Sequence, residues 1–105
     1  MTGLGIVGGE DVDNTRCALI VGRNPSAADP VQWMALKRAR AKGAKVIVID
    51  PAETPAVGIA DIWMRPRAGT DAAIGLAMIH VIVEENLYDV DFVADWTRGF
   101  EELKA

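Results

Sequence analysis

One cysteine, Cys17, and one histidine, His80, are the whole supply of thiol and imidazole in this chain of 105 residues. An internal disulfide is therefore excluded, and these two side chains alone cannot assemble a metal site. No Cys–His pair and no Ser–His–Asp set stands near a predicted strand end, so a built-in nucleophile is missing as well. The longest apolar stretch, residues 72–83, is interrupted only by Gly75 and His80. It falls well short of the roughly 20 residues a bilayer-spanning helix needs. The N-terminus has no charged region followed by an apolar one, so no secretory signal is visible. Positive charge is also scarce. The formal net charge is −4, which argues against a nucleic-acid partner.

What remains is half hydrophobic, enough for a real core in one domain or part of one. Residues 1–14 are glycine-rich, with Gly3, Gly5, Gly8 and Gly9, and read as a loop or arm with little reason to order itself alone. Residues 17–21 are a continuous apolar run stopped by Gly22, the pattern of a strand buried on both faces. Cys17 opens that run and reads as a small buried hydrophobe. Asp29-Pro30 then signals a helix start, Gly43 its end, and residues 45–49 a second buried strand. Strand, helix, strand in so short a span is a βαβ unit with a right-handed crossover. Residues 62–64 read as a third, short strand after an irregular connection over 53–60.

Thr70 is the expected N-cap of a long helix beginning at Asp71 and reaching about Asn86. That helix is apolar nearly all round over residues 72–83, which calls for cover on most sides. His80 within it reads as a hydrogen-bonded core histidine. A shorter helix follows Asp89, stops at Thr97-Arg98-Gly99, and another starts near Phe100. Trp33, Trp63 and Trp96 read as core or interface anchors. The basic cluster Lys37, Arg38, Arg40, Lys42, Lys45 and the acidic cluster from Glu84 to Asp95 read as solvated surface. The fold class is α/β: a Rossmann-like, three-layer arrangement with a short, mainly parallel sheet of about three strands flanked by helices.

In an open parallel sheet, ligands bind outside the carboxyl ends of the strands. Three polar stops fall there: Gly22-Arg23-Asn24-Pro25, Asp50-Pro51 and Gly69-Thr70-Asp71. The first leads toward a helix N-terminus, whose N–H groups and dipole suit a pyrophosphate. It does not carry the G-x-G-x-x-G fingerprint. Asp50 stands where an acidic residue accepts from ribose hydroxyls, and equally where one caps the turn before Pro51. Asp71 can take two donors from a guanine edge, its ring N–H and its exocyclic amine, or serve only the helix start. Arg23, Arg65 and Arg67 lie near the same loops, where one of them can neutralise phosphate.

In this order, the segments 19–25, 43–51, 60–61, 67–73, 87–89 and 99–103 resemble the molybdopterin oxidoreductase family, over roughly residues 11–105. These are the dimethyl sulfoxide reductase-like enzymes with a molybdenum or tungsten bis(molybdopterin guanine dinucleotide) cofactor. The resemblance implies that residues 15–105 are one Rossmann-like cofactor domain, preceded by a flexible segment 1–14. It further implies that Gly22, Arg23, Asn24 and Pro25 line the pyrophosphate and nucleoside, Asp50 and Pro51 the guanosine ribose, and Gly69, Thr70 and Asp71 the guanine. Two positions depart from the family pattern. Ala52 stands where many members have Arg, removing one cofactor contact, and Ala68 stands where many have Pro.

The resemblance also implies a metal ligand on another segment and an iron–sulfur cluster elsewhere in the parent protein. The chain is then a fragment of a larger redox enzyme, inactive alone. Its partners are the parent's remaining domains and electron-transfer subunits, with self-association when isolated. Two other readings stay open. One is a stand-alone Rossmann-type nucleotide module, and the other a non-catalytic interaction domain that associates through residues 72–83.

Overall fold

The computed structural model describes residues 11–104. The chain divides into two compact units, Met1–Pro66 and Arg67–Ala105. The first is built on three parallel strands in the order β1-β2-β3: β1 (Cys17–Val21), β2 (Lys45–Ile49) and β3 (Ile62–Met64). All three are made largely of β-branched and aliphatic residues, which suit a pleated, packed surface. Between β1 and β2 run a short helix α1 (Pro25–Ala28) and the crossover helix α2 (Pro30–Ala41). Asp29 Oδ1 accepts from the Gln32 N–H at 2.9 Å, and Pro30 fills the position that lacks a helical partner for its nitrogen. Gly43, at φ +101°, makes the left-handed turn that closes α2. The sheet and its helices are the α/β arrangement read from the sequence. α1 was not, because four residues carry no periodicity to read.

β2 is the central strand, and its Val46 and Val48 are fully buried. They pack with Leu36 of α2 and with Ala56 from the connection before a helical turn at Val57–Ile59. Trp33 and Trp63 pack against this cluster from its margins. Each buried aliphatic side chain contributes about 1.5–3 kcal/mol, so this small cluster carries much of the unit's hydrophobic stabilisation.

Two sequence expectations fail here. Cys17 is exposed, and β1 is not buried on both faces. β1 is an edge strand, and Cys17, Leu19 and Val21 face a side that the described residues leave open. Second, the segment up to Asn14 is not wholly an unordered arm. Val12–Asn14 forms a helical turn, and Asp13 binds Arg38 of α2 through both oxygens, at 2.7 and 2.8 Å. The Arg38 guanidinium holds the Asp13 carboxyl below its usual range. Residues 1–10, with their four glycines, lie outside the described residues.

The basic cluster lies at the surface as expected, with Arg40 alone half-buried, and part of it is paired. Asp61, just before β3, accepts from the Val46 N–H at 2.8 Å, Arg40 at 2.7 Å and Lys45 at 3.2 Å. It ties the end of α2 and the start of β2 to the start of β3. The Val46 N–H above all, with Lys45 and Arg40, holds the Asp61 carboxyl down at about 2. A depressed carboxyl stabilises the fold fully above its unfolded value of 3.8 and loses that contribution as pH falls toward 2. Acid unfolding of Asp61→Asn, followed by circular dichroism, is therefore expected to show a shallower loss of stability between about pH 4 and 2, with lower stability at neutral pH. An acid limb unchanged from the parent chain would contradict this role.

The second unit holds α3 (Asp71–Glu84), α4 (Val90–Trp96) and α5 (Phe100–Lys104). Asp89 caps α4, accepting from the Phe92 N–H at 2.9 Å. Tyr88 and Phe100 meet with ring centroids 4.7 Å apart. α3 exposes Leu76, Ile79, Val81 and Ile82. His80 is exposed too and bonds to nothing among the described residues, so it is not a core histidine. Trp96, 78% exposed, is not a core anchor either. These readings assumed cover for apolar helices, and the described residues do not supply it. No described helix is long and apolar enough to cross a membrane.

Candidate functional site

In a parallel sheet the carboxyl ends of all strands lie on one side. Here they are tied together by main-chain bonds. The Gly22 N–H at the end of β1 donates to Ile49 O at 2.9 Å, and the Asp50 N–H at the end of β2 donates to Met64 O at 3.1 Å. Gly22, Asp50 and Arg65 thus form a row across neighbouring strand ends. Gly22 has φ +56°, a left-handed conformation that costs other residues about 1–2 kcal/mol. The space a side chain would take there is empty to 4 Å. A glycine at this point bends the chain sharply and leaves the backbone open to close approach.

Beyond Gly22, the N–H groups of Arg23 and Asn24 bond to nothing among the described residues. Asn24 Oδ1 accepts from Ser26 Oγ at 2.7 Å, which orients the amide, and Pro25 is buried at the start of α1. The N-terminus of α2 is already served by Asp29, whose other oxygen stands 3.9 Å from the Arg23 guanidinium. An anion at this loop would therefore meet the Arg23 and Asn24 N–H groups and the Arg23 side chain, rather than α2.

Asp50 is 7% exposed. Its Oδ1 accepts from the Ala52 N–H at 2.8 Å, the turn-capping bond anticipated for an Asp before Pro51. Its main-chain oxygen accepts from Trp63 Nε1 at 2.9 Å. The turn is thereby held rigid, while Oδ2 accepts no bond among the described residues. Arg65 stacks over Trp63, 5.5 Å from the ring centroid, and donates from Nε to Pro51 O at 3.0 Å. It brings a guanidinium to the turn at which Ala52 supplies none. Thr54, on the loop after Pro51, has a buried Oγ1 with no hydrogen-bond partner among the described residues. Such an orphan is costly unless something arrives to satisfy it. Sequence reasoning missed Thr54, because a threonine in an irregular loop carries no signal of burial.

The remaining candidates belong to the second unit. Thr70 N–H donates to Arg67 O at 3.1 Å, closing a turn with Gly69 at φ +84°. Thr70 occupies the N-cap position of α3, but its hydroxyl donates back to Arg67 O at 2.7 Å. No side chain caps the first N–H groups of α3. The Asp71 carboxylate is exposed and unpaired among the described residues. Gly69, Thr70 and Asp71 thus offer a carboxylate and open N–H donors side by side. Among the described residues no group of three or more His, Cys, Asp or Glu could hold a metal ion.

Residues 4–103 match the model of the molybdopterin oxidoreductase family. This chain belongs to that family. It is 49% identical over 92 residues to the acetylene hydratase of Syntrophotalea acetylenica, covering 87% of this chain and 13% of that protein. It is 42% identical over 94 residues to formate dehydrogenase H of Escherichia coli, covering 90% and 13%. Against the dimethyl sulfoxide/trimethylamine N-oxide reductase of Rhodobacter capsulatus it is 38% identical over 101 residues, covering 87% and 12%. The structure superposes on that of acetylene hydratase from Pelobacter acetylenicus with a TM-score of 0.80 at 48% identity, over 86% of this chain and 12% of the other. The chain thus spans about an eighth of the length of these relatives. As a molybdopterin oxidoreductase domain of molybdenum and tungsten enzymes, it belongs with a metal–pterin cofactor. Some of its relatives are subunits, such as the alpha subunit of the F420-dependent formate dehydrogenase of Methanocaldococcus jannaschii, 43% identical over 95 residues.

Proposed function

We propose that this domain holds the guanine dinucleotide part of a molybdenum or tungsten pterin cofactor. The observation that carries the reading is the pairing of an open Gly22 loop with a buried, turn-locked Asp50 at neighbouring strand ends. The free N–H groups of Arg23 and Asn24 and the Arg23 guanidinium suit a pyrophosphate, and Pro25 sets the loop. Asp50 Oδ2 is a fixed acceptor for ribose hydroxyls beside Pro51, and Thr54 Oγ1 is an unsatisfied polar atom on the same loop. Gly69, Thr70 and Asp71 take the guanine, with the Asp71 carboxylate accepting from its ring N–H and exocyclic amine. These residues fit the group. When bound, the cofactor supplies the redox chemistry, and the domain supplies binding and orientation.

The domain covers residues 15–105. The metal ligand, any iron–sulfur cluster and the electron-transfer partners belong to other segments of the parent enzyme, and this chain alone does not turn over substrate. Titrating the chain with GMP and, separately, with AMP while recording amide NMR spectra tests the reading. GMP is expected to shift Arg23, Asn24, Asp50 and residues 69–71 at lower concentration than AMP. Equal or stronger binding of AMP at these positions would move the chain to a different nucleotide class.

A further inference from the structure

Arg65 ends the row that Gly22 and Asp50 begin across the strand ends, immediately after β3. Its guanidinium is held on two sides. The central carbon lies over the Trp63 ring, 5.5 Å from the centroid, and Nε donates to Pro51 O at 3.0 Å. Nε lies in the guanidinium plane, so that bond also sets how the plane lies. Trp63 is itself anchored, its Nε1 donating to Asp50 O at 2.9 Å. The Asp50 N–H donates in turn to Met64 O. An exposed arginine ordinarily keeps its rotamer freedom, and here much of that freedom is already lost. Arg65 is nonetheless exposed and pairs with no carboxylate among the described residues. Nη1 and Nη2 make no bond among them either. One face of the plane rests on Trp63, and the other is turned to the open side, where Pro51 and Ala52 offer no long side chain.

We propose that the outer face of the Arg65 guanidinium is the platform on which the purine base of the nucleotide lies, in a stack of Trp63, Arg65 and base. This assignment rests on the domain's holding a guanine dinucleotide, as proposed above. The order of the strand ends places the base there. With pyrophosphate at the Gly22 loop and ribose at Asp50, the next strand end along the row is that of β3. From β1 to β3 is two strand spacings, about 9.5 Å, a distance that the ribose and base of a nucleotide bridge. Guanidinium planes stack on bases as they do on tryptophan, through dispersion and the attraction of a cation for a π-face. Purines offer a larger face than pyrimidines. A stack engages that face and leaves free the edge at which guanine and adenine differ. Arg65 therefore favours purine over pyrimidine without choosing between guanine and adenine, a choice that stays with the Asp71 carboxylate. A phosphate is the poorer fit for Arg65, because the open Arg23 and Asn24 N–H groups stand two strands away.

Titration of the full chain with GMP, AMP, UMP and guanosine, read by calorimetry and NMR, tests the stack. In the parent chain GMP and AMP are expected to bind more tightly than UMP, and the ring current of bound purine to move the Arg65 Nε–H resonance upfield. Arg65→Ala is expected to weaken GMP, AMP and guanosine alike by about 5- to 30-fold, with UMP affected less and the ratio of GMP to AMP affinity kept. Arg65→Lys retains a long, charged side chain but has no plane, and is expected to lose nearly as much. Circular dichroism checks the fold of both variants, and the Arg65 Nε–H shift needs neither. A loss confined to GMP and AMP, with guanosine unaffected, assigns Arg65 to phosphate and overturns the proposal. Full GMP affinity in Arg65→Lys, or an Arg65 Nε–H that shifts no more with GMP than with UMP, overturns it too. A parent chain that prefers GMP while Arg65→Ala binds as the parent does overturns the stack alone. A parent chain that binds no nucleotide overturns the guanine dinucleotide reading and the stack together.

Discussion

Leu36→Ala is expected to destabilise the chain by about 2–5 kcal/mol. Leu36 is 3% exposed and packs against Val46 and Val48, so truncation leaves a cavity in a core that has few other buried side chains. Alanine is at least as good a helix former as leucine, so the loss reads packing and not helix propensity. Total stabilities of small domains run to about 5–15 kcal/mol, and a loss of this size is a large part of that. Urea unfolding followed by far-ultraviolet circular dichroism measures it. The midpoint is expected to fall while the slope against denaturant stays the same. Met34→Ala, two residues earlier on the same helix but half exposed, is the control and is expected to stay within about 0.5 kcal/mol. Similar losses for the two variants would mean that α2 does not pack through Leu36.

Asp71→Ala is expected to remove the preference for GMP over AMP, a loss of about 1–3 kcal/mol in discrimination, or roughly 5- to 150-fold in relative affinity. A bidentate carboxylate reads guanine because adenine lacks that pair of donors. The Asp71 side chain is free for this, having no partner among the described residues. Its favourable place in the first turn of α3 contributes only about 0.3–1 kcal/mol to stability, so the variant should fold. Thr70→Ala separates the roles. The Thr70 hydroxyl bonds to Arg67 O, so its removal should loosen the turn and leave base preference largely intact. Calorimetric titration of each variant with both nucleotides checks the pair. An Asp71→Ala chain that still prefers GMP would show that another group selects the base.

Much of the fold is legible in the residues. Short apolar runs bounded by glycine, Asp-Pro and charge mark β1, β2 and β3, because local chemistry sets where such strands begin and end. Asp29 and Asp89 cap their helices as anticipated, because capping is settled within a few residues. The Asp50 turn bond to Ala52 is equally local. The misreadings share a cause. Cys17, His80 and Trp96 were assigned to interiors from their apolar neighbours, and neighbours in sequence do not say what lies across space. Asp61 stands out in sequence only as part of the family-like segment 60–61, with nothing to signal its bonds. Its partners Arg40, Lys45 and Val46 stand 15 to 21 positions away along the chain.

The sequence by itself determined the α/β order of elements, the parallel sheet and the polar stops at strand ends, since each rests on short-range patterns of hydrophobicity, capping and turn chemistry. Only the tertiary structure decided that Gly22 and Asp50 are locked side by side and that Thr54 is buried without a partner. It alone decided that Asp61 joins α2, β2 and β3 and that Arg65 is held over Trp63 at the Asp50 turn. These depend on which strands become neighbours and in what register, a long-range outcome that no local run of residues records.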